Sequence, residues 1–298
     1  MSGPSLQVSP LPPAWLDRRL YPFSPRRFET ADGTLSYLDE GRGPVVLLVH
    51  GTPSWSFEFR EVVRELARDH RVIAPDHLGF GLSDKPARAS LTLDLHRSRL
   101  AALMEALDLR DVTLVVHDFG GPIALPLALL PERRIRRLVV LNSWMWPSDG
   151  DATIARIDRL VRSALGRFLY LRLGFSARVI LPNAFGNKRL LTGSVKRHYL
   201  APLNSAPARA GTYAMALALK GEDAAYAELW SARAQLAELP MALVWGGRDP
   251  VLTAQHRRRW EEAFPDAAVE VLDDAGHFVA EERPDAVVDA VRRLSALA

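Results

Sequence analysis

The chain contains no cysteine. That excludes disulfides, thiolate nucleophiles and thiolate metal sites, and it fits a cytoplasmic protein. Long apolar runs are also missing: nowhere do 18 or more apolar residues follow one another, which excludes a membrane-spanning helix. The opening residues, MSGPSLQVSPLPPAWL, carry prolines where a secretory signal needs a basic segment and an apolar stretch, so no signal peptide is expected. Charge of one sign is nearly balanced, with 38 Lys and Arg against 35 Asp and Glu. Arginines gather at Arg133–Arg137 and Arg257–Arg259. Without interleaved aromatics or finger spacing, these clusters read as solvated helix faces and strand entrances, so nucleic acid is not expected as a partner, and without a spanning segment neither is a membrane. No metal-ligand cluster, phosphate-cradling glycine loop or dinucleotide fingerprint is present, so neither a metal nor a cofactor is expected. Finally, no serine stands in a G-x-S-x-G context, which argues against an ordinary serine esterase.

What is present is a 298-residue chain with 48% hydrophobic residues, enough for a large core in one domain plus an insertion or in two domains. From Phe28 to about Pro147, short β-rich runs alternate with amphipathic helical stretches. The strand candidates are Arg27–Thr30, Leu35–Asp39, Val45–His50, Arg71–Pro75, Val112–His117 and Leu138–Asn142. The first two form a hairpin around Asp32-Gly33. The later ones are continuous Val/Ile/Leu runs, as expected of strands covered on both faces by helices. Phe57–Ala67 and Leu91–Leu107 have helical spacing, so the series is βαβ with a mostly parallel sheet.

From about Pro147 to Trp230 the strand rhythm stops, and helical periods are interrupted by Gly and Pro. It returns at Met241–Trp245 and Val269–Leu272, with helices at Ala254–Ala263 and Pro284–Ala296. The expectation is an α/β fold in which residues 1–146 and 231–298 form the core domain. Residues 147–230 form a helical insertion after the sixth strand, far too long for an ordinary loop.

Within this frame, LVVHDFGG (114–121) runs an apolar strand into His117 and Asp118 and then turns on two glycines. Strand, sharp turn and helix are the arrangement of the nucleophile elbow of α/β-hydrolases, here with Asp118 in the nucleophile position; an N-cap Asp at an ordinary strand–helix junction is the alternative on this octet alone. The helix N-terminus near Gly120 aims its positive end at that carboxylate. Two later segments supply partners. Asp249 lies in WGGRDP, just beyond the strand Met241–Trp245, and His277 lies in DAGHF, just beyond Val269–Leu272. The chain order nucleophile, acid, histidine is the order this fold uses for a triad. Upstream, HGTP (50–53) ends the strand Val45–His50. There the backbone amide of Thr52 would complete an oxyanion hole with that of Phe119, while His50 and Gly51 serve the turn itself.

Taken together, YPF, YLDEGRGPVVLLVHGTPSWSFEFR, RVIAPDHLGFGLSDKP, VVHDFGG, GGRDP and DAGHF resemble the haloalkane dehalogenases and their close α/β-hydrolase relatives. The resemblance covers residues 21–147 and 236–296 and is weak across the insertion. It implies a cofactor-free hydrolase in which Asp118 attacks a saturated carbon and displaces a leaving group. His277 would then activate water against the resulting ester, with Asp249 orienting the imidazole. Other relatives place the acid after Leu138–Asn142, where this chain offers only Asn142. The implied partner is a small apolar organic substrate, and the implied assembly a monomer or small homo-oligomer.

The chain departs from the family at the leaving group. Dehalogenases usually offer an indole N–H directly after the nucleophile, and an Asn in the H-G-N-P loop or a cap Trp. Here those positions hold Phe119 and Thr52, and no Trp lies between Pro147 and Leu229. Trp144 and Trp146, at the start of the insertion, are the candidate substitutes. The main rival is an epoxide hydrolase, which would protonate its alkoxide from two cap tyrosines, with Tyr213 and Tyr170 as candidates. The β-lactone decarboxylases of olefin synthesis share the N-terminal motifs, and a non-catalytic binder on the same fold is the alternative from another class.

Overall fold

In a computed structural model, the described residues are 6–8, 13–86, 91–132, 134–148 and 150–297. Nine strands make one sheet: β1 (Leu6–Val8), β2 (Arg26–Thr30), β3 (Gly33–Gly41), β4 (Val45–Val49), β5 (Arg71–Pro75), β6 (Val112–Asp118), β7 (Ile135–Ser143), β8 (Met241–Gly246) and β9 (Ala268–Leu272), in the spatial order β1-β2-β3-β5-β4-β6-β7-β8-β9. The first three strands are antiparallel to their neighbours, and from β5 to β9 every pair is parallel. Leu6–Val8 has no counterpart in the sequence reading. Counting it, the helical insertion follows the seventh strand rather than the sixth.

The continuous apolar runs have the expected cause. Along β4, Leu47 and Val49 enter one core while Val46 and Leu48 enter the other. In β6, likewise, Leu114 and Val116 part from Val115. A strand buried on both faces has no reason to alternate polarity. The edge strand β9 differs, since Val269 and Val271 are exposed.

Between β7 and β8 the described residues form helices only. Ala152–Arg162 is capped by the Asp151 carboxylate, and short helical pieces continue through Ser231. Gly174, at φ 66°, separates two π-helical turns, Leu169–Leu173 and Ser176–Ile180. The arginine clusters are only partly solvated, since Arg137 is buried at the entrance of β7. Arg137 pairs with Asp111 at 3.0 Å, Arg257 with Glu261 at 2.9 Å, and Arg259 lies over the rings of Trp146 and Trp230. Arg133 lies outside the described residues.

Candidate active site

The C-terminal ends of β4, β6, β7 and β8 and the loop after β9 converge on one carboxylate. Asp118 closes β6 at φ 50°, a left-handed backbone that ordinary residues rarely adopt. The packing around the turn holds it there. Ser143, at the end of β7, donates its hydroxyl to the Asp118 carbonyl at 2.7 Å. A Cβ on Gly120 would sit 2.2 Å from the Val49 carbonyl oxygen, so the helix that follows can approach β4 only through glycine. Gly51 is likewise required: a Cβ there would meet Asp118 Oδ1 at 2.2 Å.

The amide of Thr52 donates to Asp118 Oδ1 at 2.8 Å, so the HGTP loop does aim a backbone donor at the carboxylate. No such bond runs from Phe119. His50 plays a turn role: its Nε2 accepts from the His77 amide at 3.0 Å, and its Nδ1 faces the Gly51 carbonyl.

On the far side of Asp118, His277 Nε2 lies 3.5 Å from Oδ2. Its Nδ1 donates to Asp249 Oδ2 at 2.7 Å. Both His277 and Asp249 are buried. Burial works to lower the imidazole's pKa, yet Asp249 and Asp118 outweigh it and hold His277 well above its ordinary value. Burial likewise pushes the Asp249 carboxyl up, and His277 with the backbone amides of Val251 and Leu252 brings it below the usual range. The three residues named from the sequence are therefore in contact as a chain, Asp118, His277, Asp249.

Three further residues position this chain. Asn142 was legible only as a missing acid. Its Nδ2 donates to Asp249 Oδ2 at 2.6 Å, while its Oδ1 accepts the Gly246 amide at 2.8 Å. Asn142 thus fixes the carboxylate and the strand that carries it. The other two are His117 and Glu58, both buried. His117 Nε2 donates to the His277 carbonyl at 2.8 Å, and its Nδ1 faces both Glu58 oxygens at 3.1 and 3.2 Å. A carbonyl can only accept, so Nε2 is the donor in the first of these contacts. The signal for Glu58 was a lone charge within the aromatic run WSFEF.

The candidate contacts for a leaving group fare differently. Trp144 packs edge-on against Phe119, with ring centroids 4.7 Å apart. It is only 6% exposed, and its indole N–H has no hydrogen-bond partner among the described residues. By contrast, Trp55, Trp245 and Trp260 each donate to a backbone carbonyl at 2.8–3.0 Å. Beside the Thr52 amide, the Thr52 hydroxyl is also buried without a partner. Trp146 is committed elsewhere, packed among Trp230, His256 and Trp260. Tyr170 and Tyr213 are neighbours, with ring centroids 5.9 Å apart, but the Tyr213 hydroxyl donates to the Val161 carbonyl at 3.2 Å. Burial raises the Tyr170 hydroxyl to about 12, which makes it a poorer acid.

Among the described residues no cluster of three or more His, Asp or Glu is arranged to hold a metal ion, and no helix is long and apolar enough to cross a membrane.

Comparison with known proteins gives the family. Residues 44–284 match the model of the alpha/beta hydrolase fold family. The chain is 33% identical over 277 residues to haloalkane dehalogenase 2 of Mycobacterium tuberculosis, covering 92% of this chain and 96% of that protein. It is 34% identical over 283 residues to a cis-3-alkyl-4-alkyloxetan-2-one decarboxylase of Shewanella oneidensis, covering 92% and 88%. Among solved structures, a haloalkane dehalogenase of Bradyrhizobium elkani superposes with a TM-score of 0.81 at 23% identity, covering 99% of this chain and 100% of that one; at that identity it speaks for the fold alone. The chain belongs to the alpha/beta hydrolase fold family and is a haloalkane dehalogenase-like enzyme within it.

Proposed function

We propose that the protein hydrolyses a small apolar alkyl substrate through a covalent ester on Asp118, in the manner of a haloalkane dehalogenase. The observation that carries this reading is the unbroken contact from the Thr52 amide through Asp118 and His277 to Asp249. An Asp118 oxygen attacks the saturated carbon, and the carbon–halogen bond breaks with its electron pair leaving as halide. Ester formation cancels the charge on Asp118. One of the two carboxylates that keep His277 protonated is then gone, so the imidazole gives its proton to solvent and becomes a base at the step that needs one. His277 takes a proton from water as the water oxygen adds to the ester carbonyl, and the amides of Thr52 and Phe119 receive the oxyanion. Collapse expels the alcohol, which takes its proton back from His277, and the remaining proton passes from Asp118 to His277, restoring the resting pair. The sum is haloalkane and water to alcohol, halide and a proton.

The halide's donors in this reading are the Thr52 hydroxyl and the Trp144 indole, the two unpartnered donors beside Asp118 and Phe119. We further propose that residues 147–230 act as the cap over residues 1–146 and 231–298, and that the cysteine-free chain works in a reducing cytoplasm. Epoxide opening is the second reading, favoured by the adjacency of Tyr170 and Tyr213 and disfavoured by the engagement of Tyr213 with Val161. Oxetanone decarboxylation is the third, favoured by the Shewanella relative. A panel of bromoalkanes, epoxides and cis-oxetan-2-ones separates the three: release of bromide with alcohol supports the proposal, while diol or alkene with carbon dioxide replaces it.

A further inference from the structure

The exposed surface of Ala152–Ile180 has a composition that its role over the site does not require. Along Ala152–Ile180 the exposed positions are nearly all arginine or large apolar residues. Leu160, Leu165, Phe168 and Leu173 are 47–58% exposed, and Ile157 and Val179 are 40% and 42% exposed. Interleaved with them are Arg156, Arg159, Arg162, Arg167, Arg172 and Arg178, all exposed. The only acid in the stretch, Asp158, is already paired with Arg162 at 2.8 Å. Half of the large hydrophobic residues exposed among the described residues fall in this segment.

A soluble monomer rarely leaves so many large apolar side chains together in water. The charge pattern decides what covers them. A second copy docked through a two-fold axis would set this arginine face against itself with no free carboxylate to offset it. Nucleic acid would meet the arginines but offers nothing to Leu165 or Phe168. An anionic bilayer satisfies both sets. Its headgroups pair with the guanidinium groups, and the apolar side chains enter the acyl boundary, as in helices that lie in the plane of an interface. The sequence expectation of no membrane partner rested on the lack of a spanning segment, which has no bearing on a protein that lies on the surface.

We infer that the Ala152–Ile180 face docks the protein onto an anionic lipid surface. Docking is read without substrate and does not depend on the reaction proposed above. The test uses the full chain and sedimentation with vesicles of phosphatidylcholine, with and without phosphatidylglycerol. The protein should bind the mixed vesicles, ignore the neutral ones, and dissociate as salt approaches about 1 M, where the screening length falls to about 3 Å. The exposed-site double variant Leu165→Ser/Phe168→Ser should keep the wild-type melting temperature and lose most of the binding. Arg159→Gln and Arg167→Gln should each weaken binding about fivefold. Val269→Ser/Val271→Ser, on the edge strand β9, should bind as wild type. Failure of the wild type to bind mixed vesicles at low salt would overturn the inference. So would full binding by the apolar double variant, which would leave a simple polyanion site. A solution dimer dissolved by Leu165→Ser/Phe168→Ser would overturn it in favour of a second copy.

Discussion

The two flanks of Asp118 are built on opposite principles. On the His277 side, both imidazole nitrogens face carboxylates, Asp249 is held additionally by Asn142 and the Val251 amide, and the His277 carbonyl is held by His117. On the Phe119 side, rings pack edge to face, and two donors, the buried Thr52 hydroxyl and the Trp144 indole, have no hydrogen-bond partner among the described residues. An unpaired buried donor such as the Thr52 hydroxyl costs about 1–3 kcal/mol of stability, which an anion passing beside Asp118 in the proposed reaction would offset. In the proposed reaction the first flank serves ester hydrolysis. The second leaves the identity of the leaving group to two donors that are not the customary ones.

Predictions that probe this asymmetry run from large to small. Asp118→Ala should reduce turnover of every substrate by about five orders of magnitude, because neither flank can act without the carboxylate. Asp249→Asn should cost about 10³- to 10⁴-fold in kcat. It should also move the acidic limb of the pH profile to lower pH: with one opposing carboxylate gone, the neutral imidazole is favoured and forms at lower pH. A limb that moves upward would mean that Asp249 does not hold the proton on His277.

On the other flank the effects are smaller and substrate-selective. Thr52→Val preserves shape and backbone amide but removes the hydroxyl, and should slow bromoalkane alkylation about ten- to a hundredfold while sparing ester hydrolysis in single-turnover kinetics. Trp144→Phe should act in the same direction, and Phe119→Trp should raise bromoalkane activity by adding an indole donor. If none of the three alters alkylation, halide is not what leaves. The smallest expected effect is Tyr213→Phe on a bromoalkane, near unity, whereas on an epoxide it should be large only if Tyr213 can abandon the Val161 carbonyl.

The asymmetry also governs what could be read from sequence. Asp118, Asp249 and His277 announce themselves because each follows an apolar strand in a glycine-bearing turn, and local pattern is enough to place them. Asn142 touches Asp249 from 107 residues away, and Glu58 reaches His117 across 59. Such contacts depend on strand register and loop path, which no local window contains. The central strands were legible because burial on both faces removes polar residues from them. β1, three residues among prolines, has no such run. Across residues 147–230 the loss of strand rhythm pointed to helix, but such a pattern cannot say whether an apolar stripe is covered.

The claim on which both flanks depend is the covalent ester, and one measurement addresses it. His277→Ala protein, incubated with a bromoalkane that the wild type turns over, should gain the mass of the alkyl group by intact-protein mass spectrometry. Proteolysis should place that mass on the peptide containing Asp118, because attack still occurs and the water is no longer activated. An unmodified His277→Ala protein, or an adduct mapped to a different residue, would contradict the account.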